Sequence, residues 1–479
     1  MERNDLDYTI AAFAKLLDKS KALVLDQFQD LDNKNAYHDY PQNEVESWFA
    51  ESLPEEGMPD DALLQKVKTH ILDKATGNLG PHMYAYVTAG GTQISIIAEQ
   101  LAATINQNIG KWHLAPSISE IEKRVVQWAA EMIDYPGQVG GVLVSGGSAA
   151  NLAGLTVARN IFFEKLNIRK NGLFGVKPFT VYASKEVHGC VDKSLEQLGI
   201  GTNQLRKIKT QEDFTINLEA LKQQIEQDIK DGFQPFCVVG NAGTVNTGAI
   251  DDLEALHQIC ESYKMWFHVD GAYGGVVAML ESVKAKYKGI EKADSVALDF
   301  HKWLYQPFEL GCVIVKNWET LRRAYFKKAS YLDTQLEEAS RLDFNEHYFQ
   351  LSRNAKALKV WMSIKSYGMK ALRAMIQKDI DLTNYLCDQV NQSEDFTLKS
   401  QANLAVACFQ YTAKLEDQEQ IIHLNQRLIP ALEKDGRVFI TGTKLNGELV
   451  LRACIINHRK QKSSIDYLLQ VIRDVAATL

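Results

Sequence analysis

The sequence predicts an α/β protein with a mostly parallel, buried sheet and a small α+β domain at the carboxyl end. Two observations predict this fold. Up to about residue 350, short apolar runs such as GGVLVSGG, FTVYAS, FCVVGNAG and LGCVIV alternate with amphipathic segments, a pattern typical of strands covered on both faces by helices. Further on, the runs LAVACFQY and RVFITG alternate with two amphipathic segments, which predicts a three- or four-stranded antiparallel sheet with helices.

The amino-terminal segment has a different, purely helical pattern. TIAAFAKLLDKSKALVLDQF repeats apolar residues at three- and four-residue spacing, and NEVESWFAESL and DALLQKVKTHILDKAT continue it. Such a segment must bury its apolar stripes against another surface. We therefore expect a helical extension over residues 1–78, a large domain over residues 79–354 and a small domain over residues 355–479.

Composition excludes several classes of function. The 479 residues carry a formal net charge of −7, which argues against a nucleic-acid-binding surface. The amino terminus has no long apolar run, so we expect neither a signal peptide nor a membrane span, and a cytoplasmic location. The seven cysteines form no CxxC pair and the histidines no HExxH pattern, so we expect reduced core thiols and no metal site.

A carboxylate and an amine stand among apolar neighbours in the central part of the chain. Asp270 ends the run MWFHVD, and Lys302 lies within VALDFHKWL. Buried charges need a partner, and pyridoxal 5′-phosphate (PLP) would supply one for each. Lys302 would form a Schiff base with its aldehyde, and Asp270 would keep its pyridine nitrogen protonated. Taken singly, Asp270 is more commonly a strand-end cap and Lys302 a surface lysine, and it is the pair in this order that favours PLP.

A glycine-rich turn offers a place for a phosphate group. In LVSGGSAANL a strand runs through small residues into a helix, whose first backbone N–H groups can bind an anion. Gly147 permits close approach, and Ser148 adds a hydroxyl donor. Similar turns occur in α/β proteins that bind no phosphate, but the absence of GxxxxGK[ST] and GxGxxG patterns disfavours a nucleotide.

His188 follows the strand-like run FTVYAS and opens a helical segment. A single histidine is more commonly structural. In a PLP site, however, an imidazole at such a position can stack on the pyridine ring and tune its charge.

Together these motifs resemble the group II PLP-dependent decarboxylases, which include aromatic L-amino acid, glutamate, histidine and diaminobutyrate decarboxylases. The resemblance covers roughly residues 70–460 and is carried by HVDGAYGG, SVALDFHKWL and SGGSAANL. It implies the PLP-dependent transferase fold of type I, like that of aspartate aminotransferase. It also implies a carboxy-lyase that converts an L-amino acid to an amine and CO2.

The resemblance assigns roles to individual residues. Lys302 corresponds to the family's Schiff-base lysine, Asp270 to the partner of the pyridine nitrogen, and His188 to the histidine that stacks on the ring. Further cofactor contacts are expected from Gly147, Ser148, Thr244, Ala272, Ser295 and His301.

Tyr331, in FKKASYLDTQ, falls where the family's decarboxylases have a tyrosine on a mobile loop that reaches the partner subunit's site. In the family, tyrosine here accompanies protonation of the carbon that has lost CO2, whereas phenylalanine accompanies oxidative deamination to an aldehyde. The resemblance therefore implies simple decarboxylation, unless Tyr331 is an ordinary loop residue.

The substrate pocket is expected from the segments HMYAYVTAGG and KWHLAPSISE, with the candidates Tyr84, Tyr86, Thr88, Trp112, Ala115 and Pro116. Their aromatic side chains favour an aromatic amino acid. The Ala-Pro order resembles glutamate-type members instead, so an acidic substrate remains an alternative. His82, His113 and Arg353 receive no role at this point.

The family's sites lie at a dimer interface, so the resemblance also implies an obligate homodimer in which residues 1–78 pack across the partner. Two other classes of function remain open. A PLP carbon–carbon lyase of the same fold, such as sphingosine-phosphate lyase, would release no CO2. A non-catalytic binding protein is disfavoured because Lys302, Asp270 and His188 are all present.

Overall fold

The computed structural model describes residues 3–4, 6–327 and 341–479, and it begins with a short hairpin and three helices. These elements are β1 (Arg3–Asn4), β2 (Asp7–Tyr8), α1 (Ile10–Gln27), α2 (Gln42–Trp48) and α3 (Asp60–Val67), with a π-helical turn at Lys68–Leu72 after α3. The Thr9 hydroxyl caps α1 by accepting a hydrogen bond from the Ala12 amide at 3.2 Å. The three helices coincide with the amphipathic runs that predicted them.

A mixed seven-stranded sheet forms the centre of the molecule. Its strands are β3 (Gly140–Val144), β4 (Phe179–Ser184), β5 (Leu205–Ile208), β6 (Gln234–Asn241), β7 (Trp266–Gly271), β8 (Ser295–Asp299) and β9 (Gly311–Val315). They lie in the order β3-β9-β8-β7-β6-β4-β5, and β9 runs antiparallel to both neighbours while the other pairs are parallel. The prediction of a mostly parallel, buried sheet is confirmed.

Helices cover both faces of this sheet, since alternate residues of one strand enter different core clusters. Leu143 packs in the cluster that contains Val126, whereas its neighbour Val142 packs in the cluster that contains Val157. The helices are α4 (Gln93–Ile105), α5 (Pro116–Met132), α6 (Gly147–Phe162), α7 (Ile168–Asn171), α8 (Cys190–Gln197), α9 (Leu218–Lys230), α10 (Leu253–Tyr263), α11 (Phe300–Trp303) and α12 (Trp318–Tyr325).

The carboxyl-terminal part contains a separate antiparallel sheet. It begins with α13 (Ala357–Gln392), which breaks at Gly368, whose φ of +74° favours glycine. The remaining elements are β10 (Phe396–Leu398), β11 (Val406–Tyr411), α14 (Gln418–Asp435), β12 (Thr441–Leu445), β13 (Glu448–Cys454) and α15 (Lys462–Ala476). The strands lie in the order β10-β11-β13-β12, which confirms the predicted small α+β fold.

A segment that precedes α4 joins the two sheets. The Tyr84 amide donates to the Phe439 carbonyl at 2.7 Å, and the Cys454 amide donates to the Tyr84 carbonyl at 2.9 Å. The segment therefore enters the small sheet before the chain returns to the large one. No helix in the described part of the chain has both the length and the apolar character needed to cross a bilayer.

Candidate active site

The site lies where the parallel strands end, because ligands of open α/β sheets bind at the carboxyl edge of the strands. Asp270 lies near the end of β7, and Asp299 ends β8. A cavity of about 790 Å³ opens at this edge. Its described lining includes Ser145–Ala149, His188, Asn241, Asp270, Ala272, Asp299, His301 and Lys302 from the central sheet, and Ile429, Glu433, Thr441–Thr443 and Arg452 from the small one.

Lys302 lies on α11, the single helical turn that follows β8. Its Nζ is 3.5 Å from Oδ2 of Asp299, and its side chain is 20% exposed. Asp299 is itself buried and also approaches His301, whose Nδ1 lies 3.0 Å from its Oδ1. The amine therefore reaches the cavity from a rigid turn and has one carboxylate beside it.

Asp270 is buried, and its Oδ1 accepts a hydrogen bond from the Ala272 amide at 3.1 Å. Ala272 faces the glycine-rich turn: a Cβ placed on Gly147 would lie 2.7 Å from the Ala272 Cβ. That distance is below van der Waals contact, so glycine at position 147 is required for β7 and α6 to come this close.

The glycine-rich turn leads into the amino terminus of α6, as predicted. Gly147 is the first residue of α6, and its amide donates to Oδ2 of Asp299 at 2.9 Å. Ser148 lies exposed on the cavity lining. Because Asp299 takes the first amide of the helix, an anion at this terminus would bind the later amides and the Ser148 hydroxyl.

Two histidines border the cavity. His188 is exposed in the turn between β4 and α8, and its Nδ1 accepts a hydrogen bond from the Cys190 amide at 3.2 Å. His301 is buried, accepts from the Leu310 amide at 3.1 Å, and packs its ring 4.3 Å from that of Phe308.

The side chains present fit PLP. The lining offers an amine for the aldehyde, a buried carboxylate for the pyridine nitrogen, and a helix amino terminus with two glycines for the phosphate. Oδ1 of Asp299 is buried and accepts no hydrogen bond from the described residues, because the nearby Nδ1 of His301 itself accepts from the Leu310 amide. The site therefore contains an acceptor that a bound group can satisfy. No cluster of three or more potential metal ligands occurs among the described residues.

Two predicted cofactor contacts lie elsewhere. Thr244 is buried in the loop after β6, where its hydroxyl bonds Thr247 at 3.0 Å and the Ala249 amide at 3.1 Å. Ser295 begins β8, about 13 Å from the cavity end of that strand at 3.3 Å per residue. Its hydroxyl is engaged by Trp266 and His268. Neither side chain lines the cavity among the described residues, and both roles stay predictions.

The predicted substrate pocket is only partly assembled. Tyr86 lines the cavity, but Tyr84 is fully buried and donates to the Ser464 carbonyl at 2.6 Å. Thr88, Trp112, Ala115 and Pro116 do not line this cavity. Trp112 bonds Glu120 through its indole N–H at 3.0 Å, and Ala115 is buried at the start of α5. Tyr84 and Tyr86 stand two residues apart, so a continuous extended segment would point both side chains to the same side. The backbone turns at Tyr86, whose φ is +57°, and its side chain therefore leaves the direction that Tyr84 follows.

Sequence reasoning missed Arg452, which lies in β13 and reaches the cavity. Its guanidinium is buried and donates to the Val245 carbonyl through Nε at 3.0 Å and to the Tyr86 carbonyl through Nη1 at 2.9 Å. Nη2 also donates to the Val245 carbonyl at 2.6 Å, so backbone carbonyls engage all three guanidinium nitrogens of a residue that lines the cavity. An arginine in an ordinary strand gives no local signal of this placement.

The three residues without a predicted role have ordinary surroundings. Arg353 is buried, forms an ion pair with Glu122 and donates to the Leu143 carbonyl, so it ties α5 to β3. The ring of His82 lies with Nε2 3.0 Å from the Asp32 carbonyl, and burial lowers its pKa. His113 is exposed. Tyr331 lies outside the described residues.

The fold and the cavity define a PLP-dependent enzyme of the type I fold, and comparison with known proteins narrows the class. Residues 41–412 match the pyridoxal-dependent decarboxylase conserved domain. The chain therefore belongs to the pyridoxal-dependent decarboxylase family, and it is a PLP-dependent amino acid decarboxylase of group II. Decarboxylation of an amino acid and the cofactor are thus as predicted.

Individual relatives align over nearly the whole chain. An aromatic-L-amino-acid decarboxylase of Bacillus atrophaeus is 32% identical over 95% of this chain and 93% of its own. A phenylacetaldehyde synthase of Arabidopsis thaliana is 26% identical, with 92% of each chain covered. The crystal structure of Oryza sativa TDC with PLP and tryptamine has a TM-score of 0.92 and 21% identity over 98% of each chain, which confirms the fold.

Proposed function

We propose that the enzyme acts on an aromatic L-amino acid and releases the corresponding amine and CO2. The composition of the cavity lining carries this proposal. Arg452 is the sole guanidinium among the described lining residues, and it shares the cavity with Lys302 and with the aromatic rings of Tyr86 and Phe308. The name of the Bacillus atrophaeus relative agrees with this class of substrate.

The charges in the cavity favour an aromatic over an acidic side chain. A substrate needs one cation for its α-carboxylate, and Arg452 would supply it through the two N–H groups that its three bonds to backbone carbonyls leave over. Glu309 and Glu433 also line the cavity. The carboxyl groups of Glu309 and Glu433 would repel a second carboxylate on the substrate.

Six residues would hold the cofactor. Lys302 would bind its aldehyde carbon, Asp270 its pyridine nitrogen, and the start of α6 with Gly147 and Ser148 its phosphate, while His188 and Ala272 would pack on the two faces of its ring. When bound, PLP supplies an electron sink for the pair of electrons left behind as CO2 departs. Because Asp270 is buried, its carboxylate would interact with the pyridine nitrogen rather than with water. A protonated pyridine nitrogen keeps the ring able to accept electrons.

The proton that replaces the carboxylate would come from the Tyr331 phenol, delivered to Cα of the substrate. A tyrosine hydroxyl suits this role because it holds its proton at neutral pH and gives it up only to a strong base. Exclusion of water would keep the proton from reaching another atom. On this proposal the product is an amine rather than an aldehyde.

The test is to incubate the PLP-loaded protein with a panel of L-amino acids and to identify the products by mass spectrometry, with Lys302→Ala as the control. Formation of an amine and CO2 from aromatic substrates, absent in the control, is expected. An amine from glutamate or aspartate alone would overturn the substrate class. An aldehyde would overturn the role of Tyr331, and turnover without CO2 would support the carbon–carbon lyase.

We also propose that the active form is a homodimer. Ile97, Leu101 and Ile105 lie four residues apart on α4 and are 48%, 47% and 46% exposed, and Ile10 on α1 is 84% exposed. Such a row of apolar side chains on a helix is typical of a surface that a partner covers.

Light scattering on a sizing column measures the mass directly. We expect the wild type to have about twice the 53.9 kDa mass of one chain. The mass of Leu101→Lys should shift toward that of a single chain. A monomer of full activity at micromolar concentration would contradict the proposal.

A further inference from the structure

A buried hydrogen-bond network lies beneath the cavity and connects β7, β8 and α6. His268 is fully buried at its centre, with Nε2 2.8 Å from Oδ1 of Asn151 and Nδ1 2.8 Å from Oγ of Ser295. The Trp266 indole N–H donates to the same Ser295 oxygen at 2.9 Å. None of these four side chains is needed to describe the known chemistry of the site.

The partners determine the tautomer of His268. Nδ2 of Asn151 donates to the Gly147 carbonyl at 3.0 Å, which directs Oδ1 of Asn151 toward the imidazole. Nε2 of His268 must therefore carry a proton and donate it to Asn151. Because burial lowers the pKa of His268 to about 4, the ring is neutral, and Nδ1 accepts the Ser295 hydroxyl hydrogen.

The network joins the two regions that hold opposite ends of the cofactor. His268 precedes Asp270 by two residues on β7, so both side chains lie on the same face of the strand. Asn151 lies in the first turns of α6 and holds the carbonyl of Gly147. α6 packs tightly on the imidazole, since a Cβ on Gly154 would lie 2.5 Å from Cε1 of His268.

We propose that His268 is a positioning residue that fixes the distance between Asp270 and the amino terminus of α6. This inference rests on the proposed roles of Asp270 and of α6 in holding the pyridine nitrogen and the phosphate. PLP is a rigid ring with those two groups on it, so both anchors bind well together only when their separation is constant. A neutral imidazole with one donor and one acceptor connects the anchors without adding a charge beside Asp270.

The test compares PLP with pyridoxal, which lacks the phosphate and so uses only one anchor. Dissociation constants for both are measured on the apoprotein by fluorescence titration, for wild type, His268→Gln, Ser295→Ala and Ser295→Thr. We expect His268→Gln and Ser295→Ala to raise the dissociation constant of PLP about tenfold, which is the effect of one or two lost buried hydrogen bonds. The dissociation constant of pyridoxal should change much less than that of PLP. Ser295→Thr, which keeps the hydroxyl, should bind PLP as the wild type does.

A matched control is His82→Gln, which changes another buried histidine that contacts a backbone carbonyl. It should lower the melting temperature of the apoprotein without changing the ratio of the two dissociation constants. An unchanged ratio in both His268→Gln and Ser295→Ala would overturn the inference, whether or not those variants melt earlier.

Asp270→Asn separates this inference from the function on which it rests. Weaker PLP binding in Asp270→Asn with an unchanged ratio in the network variants would refute only the role of His268. Unchanged PLP binding in Asp270→Asn would refute the proposed role of Asp270 itself.

Discussion

The central sheet and the small carboxyl-terminal sheet both contribute to the cavity, but their contributions are encoded differently. From the central sheet come Asp270 and Lys302, each placed by the strand that directly precedes it. From the small sheet comes Arg452, whose guanidinium is held by the carbonyls of Tyr86 and Val245, hundreds of residues away in sequence. The difference teaches that the groups proposed to hold the cofactor follow from local motifs, whereas the group proposed to bind the substrate depends on how distant segments pack.

The largest effect is expected at the central-sheet side. Lys302→Ala removes the amine proposed to bind the cofactor, and turnover should fall by about 10²–10⁴-fold or more. Dialysis should then remove the visible absorbance of bound PLP. Lys316→Ala, at an exposed lysine that follows β9, is the control and should retain both turnover and the absorbance of bound PLP. Full activity in Lys302→Ala would mean that another group holds the cofactor.

Arg452→Lys tests the small-sheet side. The lysine keeps the charge but loses the bonds in which the planar guanidinium engages two backbone carbonyls and a carboxylate together. Loss of charge-assisted hydrogen bonds worth about 1.5–3 kcal/mol predicts a decrease in kcat/KM of about 10- to 150-fold.

The product amine gives a sharper comparison, because it has no carboxylate. Its inhibition constant should be nearly unchanged in Arg452→Lys, while substrate binding weakens. Equal losses for both molecules would show that Arg452 supports only the fold. Arg437→Lys, at a partly exposed arginine paired with Asp435, serves as the control.

The same contrast explains which parts of the site the sequence predicts. Strand-to-turn motifs place Lys302, Asp270 and Gly147 correctly at one edge, since the parallel strands all end there. The motif ADSVAL gives the neighbours of Ser295 but not its position at the amino end of β8, away from the cavity. Asp299 stands three residues before Lys302 and was overlooked because its importance depends on contact with Gly147, which only the fold reveals.

A third prediction concerns how the segment that carries Tyr86 is anchored. Lys460 is fully buried, donates to the carbonyls of Pro81 and Met83, and lies 4.0 Å above the Tyr84 ring. Burial lowers its pKa to about 7 from the ordinary value of 10.5. The unfolded chain therefore holds this proton over a pH range in which the folded chain has lost it.

The sign of the pH dependence follows from that difference. Between pH 7 and 10.5 the unfolded state binds more protons at this site, so the free energy of unfolding should rise with pH, by at most about 1.4 kcal/mol per unit. Asp379, whose pKa burial raises to about 8, acts in the opposite direction, as do buried cysteines such as Cys190 and Cys237, whose pKa values burial also raises. Only a comparison with a variant at position 460 therefore isolates the lysine.

Urea unfolding of wild type and Lys460→Met at pH 8 and 9 measures the effect. The free energy of unfolding of the wild type minus that of Lys460→Met should rise by about 1 kcal/mol between pH 8 and 9, because every other titrating group is common to the two proteins. Equal slopes would mean that Lys460 is charged in the folded protein.

The smallest effect is expected at Tyr84, which stands two residues before a residue of the cavity lining but belongs to the core. Its hydroxyl donates to the Ser464 carbonyl, so Tyr84→Phe should lower the free energy of unfolding by about 1 kcal/mol and leave KM for the substrate unchanged. Tyr86→Ala should raise KM for the substrate and leave the free energy of unfolding nearly unchanged, because Tyr86 is 61% exposed at the cavity and its ring contributes little to the core. Urea unfolding gives the free energy of unfolding of each variant, and steady-state kinetics give its KM. If Tyr84→Phe raised KM as much as Tyr86→Ala does, the substrate would extend into the small sheet beyond the described cavity. The proposed division between cofactor groups and substrate groups would then be wrong.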